Sequence, residues 1–564
     1  MRWTSRSLFI LLLLCAPLPR PAQTGRPEIR LLVNQAGYGL DGAKHVLLQA
    51  DRDLPDVRSF ELVRGERTVY RGVWRSAARI PKWGLCYKEG YLPSLPAGEY
   101  RLRTPWQGET FESPPVRVGS FGFVRKTGPL ASYFFYAQRC GTEVPGWHGP
   151  CHLDDARMPD GTRRDLSGGW HDAGDYNKYN GYTPLAVYAL AKFALSPSAQ
   201  CGEWRSDAPS PLLEAFWGAE WLKKCLDRET RTILGRVFSG FSFWDRPEGE
   251  TDTIPGNGDD RRADVLVWNE NEMAAAAWAA LFLATGDPSW RDLALEVWTA
   301  IEQNDPGTNA GQRAKRLLAA LELFRATGGQ RFAEDSRRSA AFLVASQEPD
   351  GGWPLWPMAI VEGGIVPAAL AEFASVFPAS ELGPSVRRAL SRHLDFWAAH
   401  SVSPFAIPKW SEDDTFYPYL PEEWHVGQNS RYLSQAWAGL LMAKVLTGEK
   451  RRAGSLAEGC LDWVLGLNPF GVCMMNEAGA VHLNYYHHRY DRIPNGKNGS
   501  VPGAICNGII RQTPVSDVPY LDLEGRSWQT NEPWLPHNAF FLLALAERDA
   551  EGGPRREKRG DDIR

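Results

Sequence analysis

The spacing of apolar positions changes near residue 120 of this chain. Between residues 27 and 118, short apolar runs alternate with turn signals, as in the run 45–48 and in the alternating segment 59–71. Short strands separated by turns are typical of two sheets packed face to face. The pattern therefore predicts a small β-sandwich over residues 27–120.

From residue 121 onward, apolar residues recur at helical spacing, and loops rich in Gly, Pro, Asp and Trp separate the helical segments. Many helices joined by long loops favour a closed ring of helix pairs over a four-helix bundle. We therefore predict a mainly α protein with an (α/α)6 barrel, which needs twelve helices, over residues 121–550. The charged, Gly-rich tail 551–564 is predicted to be disordered. The periodicity itself predicts ten helices, at 185–194, 212–226, 272–285, 292–302, 313–326, 332–346, 384–400, 432–447, 453–467 and 537–548.

Charge and aromatic content narrow the possible partners. The 564 residues include 63 Lys and Arg against 67 Asp and Glu, which gives a formal net charge of −4. A balance of this kind does not predict a nucleic-acid partner, which normally requires a basic face. Aromatic residues make up 12% of the chain and include 23 Trp. Trp and Tyr rings suit stacking on sugars as well as core packing.

The N-terminus predicts a secretory signal peptide over residues 1–23. Arg2 and Arg6 precede the apolar run 8–14, which is too short to span a membrane. No other long apolar run follows, so we expect a secreted or periplasmic protein without a membrane span. Cys15, at the end of the apolar run, leaves a lipid anchor open as an alternative. The other eight Cys are too sparse for a disulfide scaffold, and their pairing stays open.

The segment 168–176, GGWHDAGDY, places Asp172 and Asp175 three residues apart among glycines and aromatic residues. Two neighbouring carboxylates repel each other unless both are solvated or share a task, such as holding one water or one cation. A plain surface turn is the alternative, since Asp and Gly favour turns. The flanking rings argue against a plain turn, because solvated turns rarely carry so many aromatic side chains.

Four metal-ligating residues precede and overlap this segment. Cys140, Cys151, His152 and His171 form the pattern C-x10-C-H-x18-H. Two thiolates and two imidazoles complete a tetrahedral zinc shell without a position for water, so the pattern predicts structural Zn²⁺. Two unrelated Cys and two polar His are the alternative. Zinc at His171 would fix the loop that presents Asp172.

Two segments near the C-terminus carry further candidates. His487 and Arg489 flank a second His and offer donors that suit sugar hydroxyls, although isolated His are usually core residues. Glu532 lies just before the last apolar helix, where the helix dipole alone would also favour a carboxylate.

Together these motifs resemble glycoside hydrolase family nine, the cellulase family, in its branch with an N-terminal immunoglobulin-like domain. The resemblance covers nearly the whole mature chain and implies an immunoglobulin-like fold for residues 27–120. It is carried by the motifs at 32–38, 138–141, 151–155, 167–176, 465–471, 487–489, 501–503 and 530–532.

The resemblance implies hydrolysis of β-1,4-linked glucans with inversion, in a cleft across the top of the barrel. Asp175 would be the general base, Asp172 would help to hold the attacking water, and Glu532 would be the general acid. Inversion places the base and the acid on opposite sides of the bond, about 6.5–9.5 Å apart. The Cys and His set matches the structural zinc site of the branch.

The resemblance also implies substrate contacts. His487 and Arg489 match substrate-binding positions of the family. Trp170, Tyr176 and Trp534 are candidates for stacking on the sugar rings.

The chain departs from the family pattern in several segments. At 209–214, two acidic ligands of a family calcium loop are missing, and hard cations need several oxygen ligands, so Ca²⁺ binding stays open. The motif at 426–429 also differs. Segments 476–479 and 484–486 differ in a region that shapes the substrate cleft, so the preferred sugar and chain length stay open.

The leading hypothesis is a secreted, monomeric β-glucan hydrolase. An exo-acting hydrolase of short oligosaccharides or glucosaminides is the first alternative, and Glu477 would suit a cationic sugar. A non-catalytic carbohydrate-binding protein is the second, but it would not need Asp172, Asp175 and Glu532 together. A sugar lyase that abstracts a proton with residues 485–489 is the third, and the Asp pair with a distant Glu disfavours it.

Overall fold

The computed structural model describes residues 28–41, 44–264, 270–304, 307–354, 359–418 and 426–548. The predicted signal peptide, Cys15 and the predicted tail 551–564 lie outside the described residues. The eight Cys of the described ranges are all free thiols. None of the helices in these ranges has the length and apolar character needed to cross a membrane.

Residues 29–118 form two antiparallel sheets. One sheet has the strand order β1-β2-β6-β5, and the other has the order β4-β3-β7-β8, with β9 also paired to β7. Alternate side chains of both sheets share one core, in which Val46 and Leu48 of β2 meet Phe60 and Leu62 of β3. The predicted β-sandwich is therefore present. Its strands are β1 (Ile29–Leu32), β2 (Lys44–Ala50), β3 (Ser59–Arg64), β4 (Arg67–Val73), β5 (Arg75–Ile80), β6 (Leu85–Leu92), β7 (Gly98–Trp106), β8 (Glu109–Glu112) and β9 (Val116–Val118).

Twelve long helices follow in the described ranges. β9 ends at Val118 and the first helix begins at Val124, so the chain changes from strand to helix between these residues. The helices are α1 (Val124–Ala137), α2 (Thr183–Ala194), α3 (Pro211–Cys225), α4 (Asn271–Thr285), α5 (Pro288–Gln303), α6 (Ala310–Thr327), α7 (Gln330–Ala345), α8 (Ile365–Val376), α9 (Gly383–Ala399), α10 (Asn429–Val445), α11 (Lys450–Val464) and α12 (Leu535–Glu547).

The even-numbered helices form a closed inner ring. Each packs against the next even-numbered helix, and α12 closes the ring on α2. The odd-numbered helices lie outside: α1 packs on α12, α3 on α2, α5 on α4, α7 on α6, α9 on α8 and α11 on α10. Six inner and six outer helices are the predicted (α/α)6 barrel, which confirms the fold class.

Local signals start and stop these helices. Ser210 caps α3 by accepting a hydrogen bond from the backbone of Leu213, and Asp287 caps α5 in the same way. Gly286 and Gly328 end α4 and α6 in the left-handed conformation that glycine adopts without strain.

All ten predicted helices are present, but α1 and α8 were not predicted. Pro129 lies within α1 and interrupts its helical pattern. Pro367 lies in the first turn of α8. Ten of the twelve residues of this helix are buried. A helix that is apolar on all sides does not alternate between apolar and polar faces. Because helices are predicted from this alternation, α8 leaves no such signal in the sequence.

Short elements connect the helices. The helical turns are Pro197–Gln200, Pro247–Gly249, Ala359–Glu362, Thr447–Glu449, Arg489–Arg492, Lys497–Gly499 and Trp528–Asn531. The short strands are β10 (Lys178–Tyr179), β11 (Leu226–Asp227), β12 (Thr232–Ile233), β13 (Arg236–Phe238), β14 (Arg262–Asp264), β15 (Ser401–Val402), β16 (Ile407–Pro408), β17 (Ile510–Thr513) and β18 (Ser516–Tyr520).

Hydrogen bonds join the β-sandwich to the barrel. The Asn34 amide donates to the Asp462 carboxylate over 2.7 Å, and the Gln35 backbone N–H donates to the carbonyl of Leu465. Both residues belong to the motif 32–38, so the strand-rich segment is held against the C-terminal end of α11. The sandwich therefore supports the barrel from outside, while the candidate site is built by loops that precede inner helices.

Candidate active site

A cavity of about 620 Å³ opens among the loops that precede α2, α4, α10 and α12. It brings together Asp172, Asp175, Glu532, His487 and Trp534, five of the residues singled out from the sequence. The other lining residues are Ala173, Tyr179, Tyr182, Arg236, Phe241, Val426, Asn507 and Trp528.

Gly174 joins the loop of the two aspartates to both C-terminal motifs. Its backbone N–H donates to Oε1 of Glu532 over 3.3 Å, and its carbonyl accepts from the N–H of Arg489 over 3.0 Å. A Cβ atom at this position would lie 1.9 Å from the carbonyl oxygen of His487. Only glycine allows this approach, so Gly174 sets the distance between the three segments.

Asp172 is fixed from both sides. Its backbone N–H donates to the carbonyl of Asn177, and its own carbonyl accepts from the N–H of Leu535. The indole N–H of Trp534 donates to Oδ2 over 2.6 Å. The second carboxylate oxygen, Oδ1, is buried and has no hydrogen-bond partner among the described residues. Asp172 thus lines the cavity and keeps one oxygen that none of the described protein groups holds.

Glu532 is positioned through its backbone and its neighbour. The carbonyl of Glu532 accepts from the N–H of Asn507 over 2.8 Å, and the N–H of His487 donates to the carbonyl of Asn531. The Asn531 amide donates to three carbonyls in two separate loops, those of residues 485, 522 and 525. These bonds define the backbone on both sides of the Glu532 side chain.

The environment raises the pKa of all three carboxyl groups. Burial, and then the nearby Asp175 charge, hold the pKa of Glu532 well above its usual range. Burial and the same neighbour hold the pKa of Asp172 well above its usual range. Burial also raises the pKa of Asp175, but the Arg489 charge and hydrogen bonds from Asn177 oppose the rise. Asp175 is therefore the best placed of the three to ionise.

Arg489 lies beneath the cavity rather than in its wall. Its side chain is buried, and Nε and Nη1 have no hydrogen-bond partner in the part of the chain that the structure describes. The guanidinium lies over the rings of Tyr176 and Trp244, at 5.4 and 5.9 Å from their centroids. Its charge acts on Asp175 from within the protein. The predicted contact with substrate at Arg489 stays a prediction.

His487 lines the cavity as a neutral side chain. Burial lowers the pKa of its imidazole. The Nδ1 atom lies 2.8 Å from the carbonyl of Arg526, to which it donates, and the ring packs edge-on against Trp244. With Nδ1 used in this way, Nε2 is the atom that can accept from a ligand.

Two of the predicted stacking residues do not face the cavity. Trp170 is fully buried, packs against Gly218 of α3, and donates its indole N–H to Glu214 over 2.7 Å. Tyr176 is also fully buried, and its hydroxyl donates to the carbonyl of Asp245. Neither ring has a face free for a sugar, so both predictions are corrected to core positions. Trp534 lines the cavity.

Cys140, Cys151, His152 and His171 lie together and are fully buried, with one ligating atom of each within 4.8 Å of the others. The Cys140 Sγ to His152 Nδ1 distance is 3.5 Å, and the Cys151 Sγ to His171 Nε2 distance is 3.7 Å. Tetrahedral zinc with bonds of about 2.3 Å to sulfur and about 2.0–2.1 Å to nitrogen would place these pairs about 3.5–3.6 Å apart. The four side chains therefore fit a zinc-sized tetrahedral site.

The remaining ring nitrogens of both His have partners outside the cluster. His152 Nε2 lies 2.9 Å from a Glu250 carboxylate oxygen, and His171 Nδ1 lies 3.4 Å from the Tyr490 hydroxyl. Such outer partners fix the ring orientation and the tautomer of metal-binding His. The sequence did not single out Glu250 or Tyr490, because they lie far along the chain from the residues that they orient.

Gln138 connects the cluster of Cys140, Cys151, His152 and His171, here called the metal-capable cluster, to the cavity. Its side-chain N–H groups donate to the carbonyls of His171 and Ala173, and its Oε1 accepts from His488 Nε2 over 2.8 Å. His488 is fully buried and therefore positions its neighbours instead of facing the cavity.

Neither Glu214 nor Glu477, from two segments that depart from the family pattern, lines the cavity. Glu214, at the end of 209–214, is fully buried and forms an ion pair with Arg139 at 2.8 Å, in addition to its bond from Trp170. Glu477 is exposed and does not belong to the cavity lining. The structure therefore does not place Glu477 in this cavity, and its contact with a cationic sugar stays a prediction.

A family model for glycosyl hydrolase family 9 matches residues 129–545. Endoglucanase D of Acetivibrio thermocellus is 26% identical over 367 residues, which cover 58% of this chain and 56% of that protein. The chain thus spans about half the length of this curated relative.

Two solved structures have the same fold. A mutant thermostable endoglucanase from Alicyclobacillus acidocaldarius aligns with a TM-score of 0.70 at 24% identity, over 92% of this chain and 99% of the other. A Zn-binding triple mutant of the family 9 endoglucanase J30 aligns with a TM-score of 0.63 at 20% identity, over 92% of this chain and 98% of the other. The family model covers most of the barrel, and the chain belongs to glycosyl hydrolase family 9.

Proposed function

We propose that this protein is a secreted glycoside hydrolase that cleaves β-1,4-glucosidic bonds in cellulose or related β-glucans with inversion. The observation that carries the proposal is the arrangement of three carboxyl groups in one cavity, tied together by Gly174 and Trp534. Family membership and the endoglucanase relatives support the substrate class.

Inverting hydrolysis needs a protonated acid on one side of the bond and an ionised base on the other. Glu532, whose pKa is held high, donates its proton to the glycosidic oxygen as the bond to C1 breaks. Asp175, supported by the Arg489 charge, takes a proton from the water whose oxygen attacks C1. Asp172 holds this water with its unpartnered Oδ1.

Substrate binding is assigned to the cavity wall. Trp534 offers part of its ring while its N–H holds Asp172, and Trp528 and Tyr179 line the same cavity. His487 Nε2 can accept a hydrogen bond from a sugar hydroxyl. Aromatic faces combined with a few fixed polar groups suit a neutral glucan.

We infer that the metal-capable cluster holds structural Zn²⁺. Two thiolates and two imidazoles complete a tetrahedral zinc coordination shell. The second ring nitrogen of each His lies near a further side chain, Glu250 or Tyr490. Zinc there would fix His171 and thereby the start of the Asp172 loop. The N-terminal sandwich, residues 27–120, is proposed to be an immunoglobulin-like domain that precedes the hydrolase domain of residues 121–550. We further propose that the mature protein is a monomer.

Hydrolysis assays with defined oligosaccharides test the proposal. The wild-type enzyme should cleave cellohexaose, and Glu532→Gln should lose activity by about 10²–10⁴-fold while it still binds the substrate. Internal cleavage products would indicate endo action, and one repeated short product would indicate exo action. Binding without cleavage by the wild type would favour the carbohydrate-binding protein, and cleavage of glucosaminides alone would overturn the glucan assignment.

A further inference from the structure

A second cluster of possible metal ligands lies outside the cavity and outside the Cys and His set. One carboxylate oxygen from each of Asp154, Asp259 and Asp260 lies within 4.8 Å of the other two. Asp154 follows the metal-capable pair Cys151 and His152 in sequence, whereas the other two aspartates end the loop 251–260. The cluster therefore joins segments about a hundred residues apart.

Among the described residues, no cationic side chain pairs with the carboxylates of this cluster. Asp154 is fully buried and Asp260 is 5% exposed. Asp154 Oδ2 and Asp260 Oδ1 are buried and have no hydrogen-bond partner within the described ranges. Across the described ranges, no Lys or Arg forms an ion pair with any of the three aspartates. Carboxylates this close repel each other unless a cation or protons compensate them.

The loop 251–260 holds the remaining oxygens with its own groups. The Thr251 hydroxyl donates to Asp154 Oδ1 over 2.8 Å. The N–H of Asp252 donates to Asp259 Oδ2, and the N–H of Gly256 donates to Asp260 Oδ2. In Asp154 and Asp260, one oxygen is thus anchored to the loop and the other is left without a partner.

We propose that Asp154, Asp259 and Asp260 bind a divalent cation, with Ca²⁺ as the ion that fits their chemistry. All three ligands are carboxylates, which suit hard cations, and an irregular loop suits the flexible geometry of calcium better than the strict octahedron of Mg²⁺. The site lacks the thiolate and imidazole groups of a zinc site. It is also separate from segment 209–214.

Cation binding would fasten the loop to the segment that carries the metal-capable cluster. Glu250, directly before the loop, contacts His152, and Arg261, directly after it, forms an ion pair with Asp155 at 2.6 Å. Arg261 precedes β14, which pairs with β13, where Arg236 lines the cavity. Calcium would therefore stabilise both the partners that orient the metal-capable cluster and one wall of the cavity.

Calcium binding to the full-length protein tests this inference. Protein passed over a chelating resin, with its zinc content checked by mass spectrometry, is titrated with CaCl2 by calorimetry and by thermal unfolding. We expect about one Ca²⁺ per chain in addition to any zinc, a rise in the melting temperature, and weaker binding of MgCl2.

Substitutions identify the ligands. Asp259→Asn changes an exposed side chain and should leave the fold intact, while calcium affinity falls by about tenfold or more. Asp260→Asn should have the same effect. The control Asp160→Asn alters an exposed aspartate outside the cluster and should bind calcium as the wild type does. No calcium binding by the wild type, or equal binding by the wild type and both cluster variants, would overturn the proposal.

Discussion

Trp534 donates its indole N–H to the carboxylate of Asp172 over 2.6 Å, although 362 positions separate the two residues. Trp534 lies two residues after Glu532, so one short segment carries the proposed acid and also orients the carboxylate proposed to hold the water. The relative placement of acid and water therefore depends on this contact as well as on the three carboxyl groups.

Trp534→Phe should keep the ring and remove this hydrogen bond. We expect kcat/KM to fall by about 10- to 100-fold, which corresponds to a charge-assisted hydrogen bond of about 1.5–3 kcal/mol. The bond lowers the pKa of Asp172, so its loss should move the acid limb of the pH profile to higher pH. Trp204→Phe is the matched control, because Trp204 hydrogen-bonds to a carbonyl away from the cavity. An unchanged pH profile in Trp534→Phe would contradict the assigned role.

Glu532→Gln should stabilise the protein at neutral pH while it strongly lowers turnover. The folded-state pKa of Glu532 is raised by burial, so its contribution to stability is present below the unfolded pKa of about 4.3 and is lost as pH rises toward the folded pKa. Glutamine cannot ionise and avoids this loss. The difference in melting temperature between variant and wild type should therefore be larger at pH 7.5 than at pH 4.5. A difference that does not change with pH would show that Glu532 ionises normally.

Glu250→Gln should weaken metal binding at the Cys and His cluster without changing a ligand. The Glu250 carboxylate faces His152 Nε2 at 2.9 Å, and loss of such an outer partner typically lowers metal affinity by about 10- to 100-fold. The effect is measured by competition with a zinc chelator, in which the amount of zinc released from the protein is recorded. Glu248→Gln is the control, since Glu248 accepts a bond from the backbone of Gly149 and does not touch a ligand. Equal zinc retention in both variants would argue against the orienting role of Glu250, and a wild-type protein that holds no zinc would argue against the zinc assignment.

Gly174→Ala should disrupt the site more than its size suggests. The new methyl group would lie 1.9 Å from the His487 carbonyl oxygen, so the two loops must separate. Overpacking of this kind costs about 1–3 kcal/mol or more, and it should also move Glu532 away from the Asp172 loop. Denaturant unfolding and kcat report the two effects. Gly448→Ala, where a methyl group meets no atom within 4 Å, should change neither quantity.

The sequence predicted those parts of the site that are carried by residue type and local spacing. Asp172 and Asp175 stand in a distinctive segment, whereas Glu532 was assigned a role only through the family resemblance, and the structure brings all three into one cavity. The type of residue alone could not distinguish Trp170 from Trp534. Both are flanked by site motifs, and only the packing of Trp170 against Gly218 shows that its ring is core.

Contacts between distant segments could not be predicted. Glu250 orients His152 from 98 positions away, and the aspartate cluster joins residue 154 to residues 259 and 260. Neither has a local spacing signal. The same limit applies to α8, because a helix buried on all sides lacks the periodicity that reveals surface helices.

The anomeric configuration of the first products tests the central claim most directly. NMR spectra recorded during hydrolysis of cellohexaose by the wild-type enzyme should show the α-anomer first, followed by mutarotation, because water attacks the face opposite the leaving group. Asp175→Asn and Glu532→Gln should give no such signal. Initial formation of the β-anomer by the wild type would contradict inversion and the roles assigned to Asp175 and Glu532.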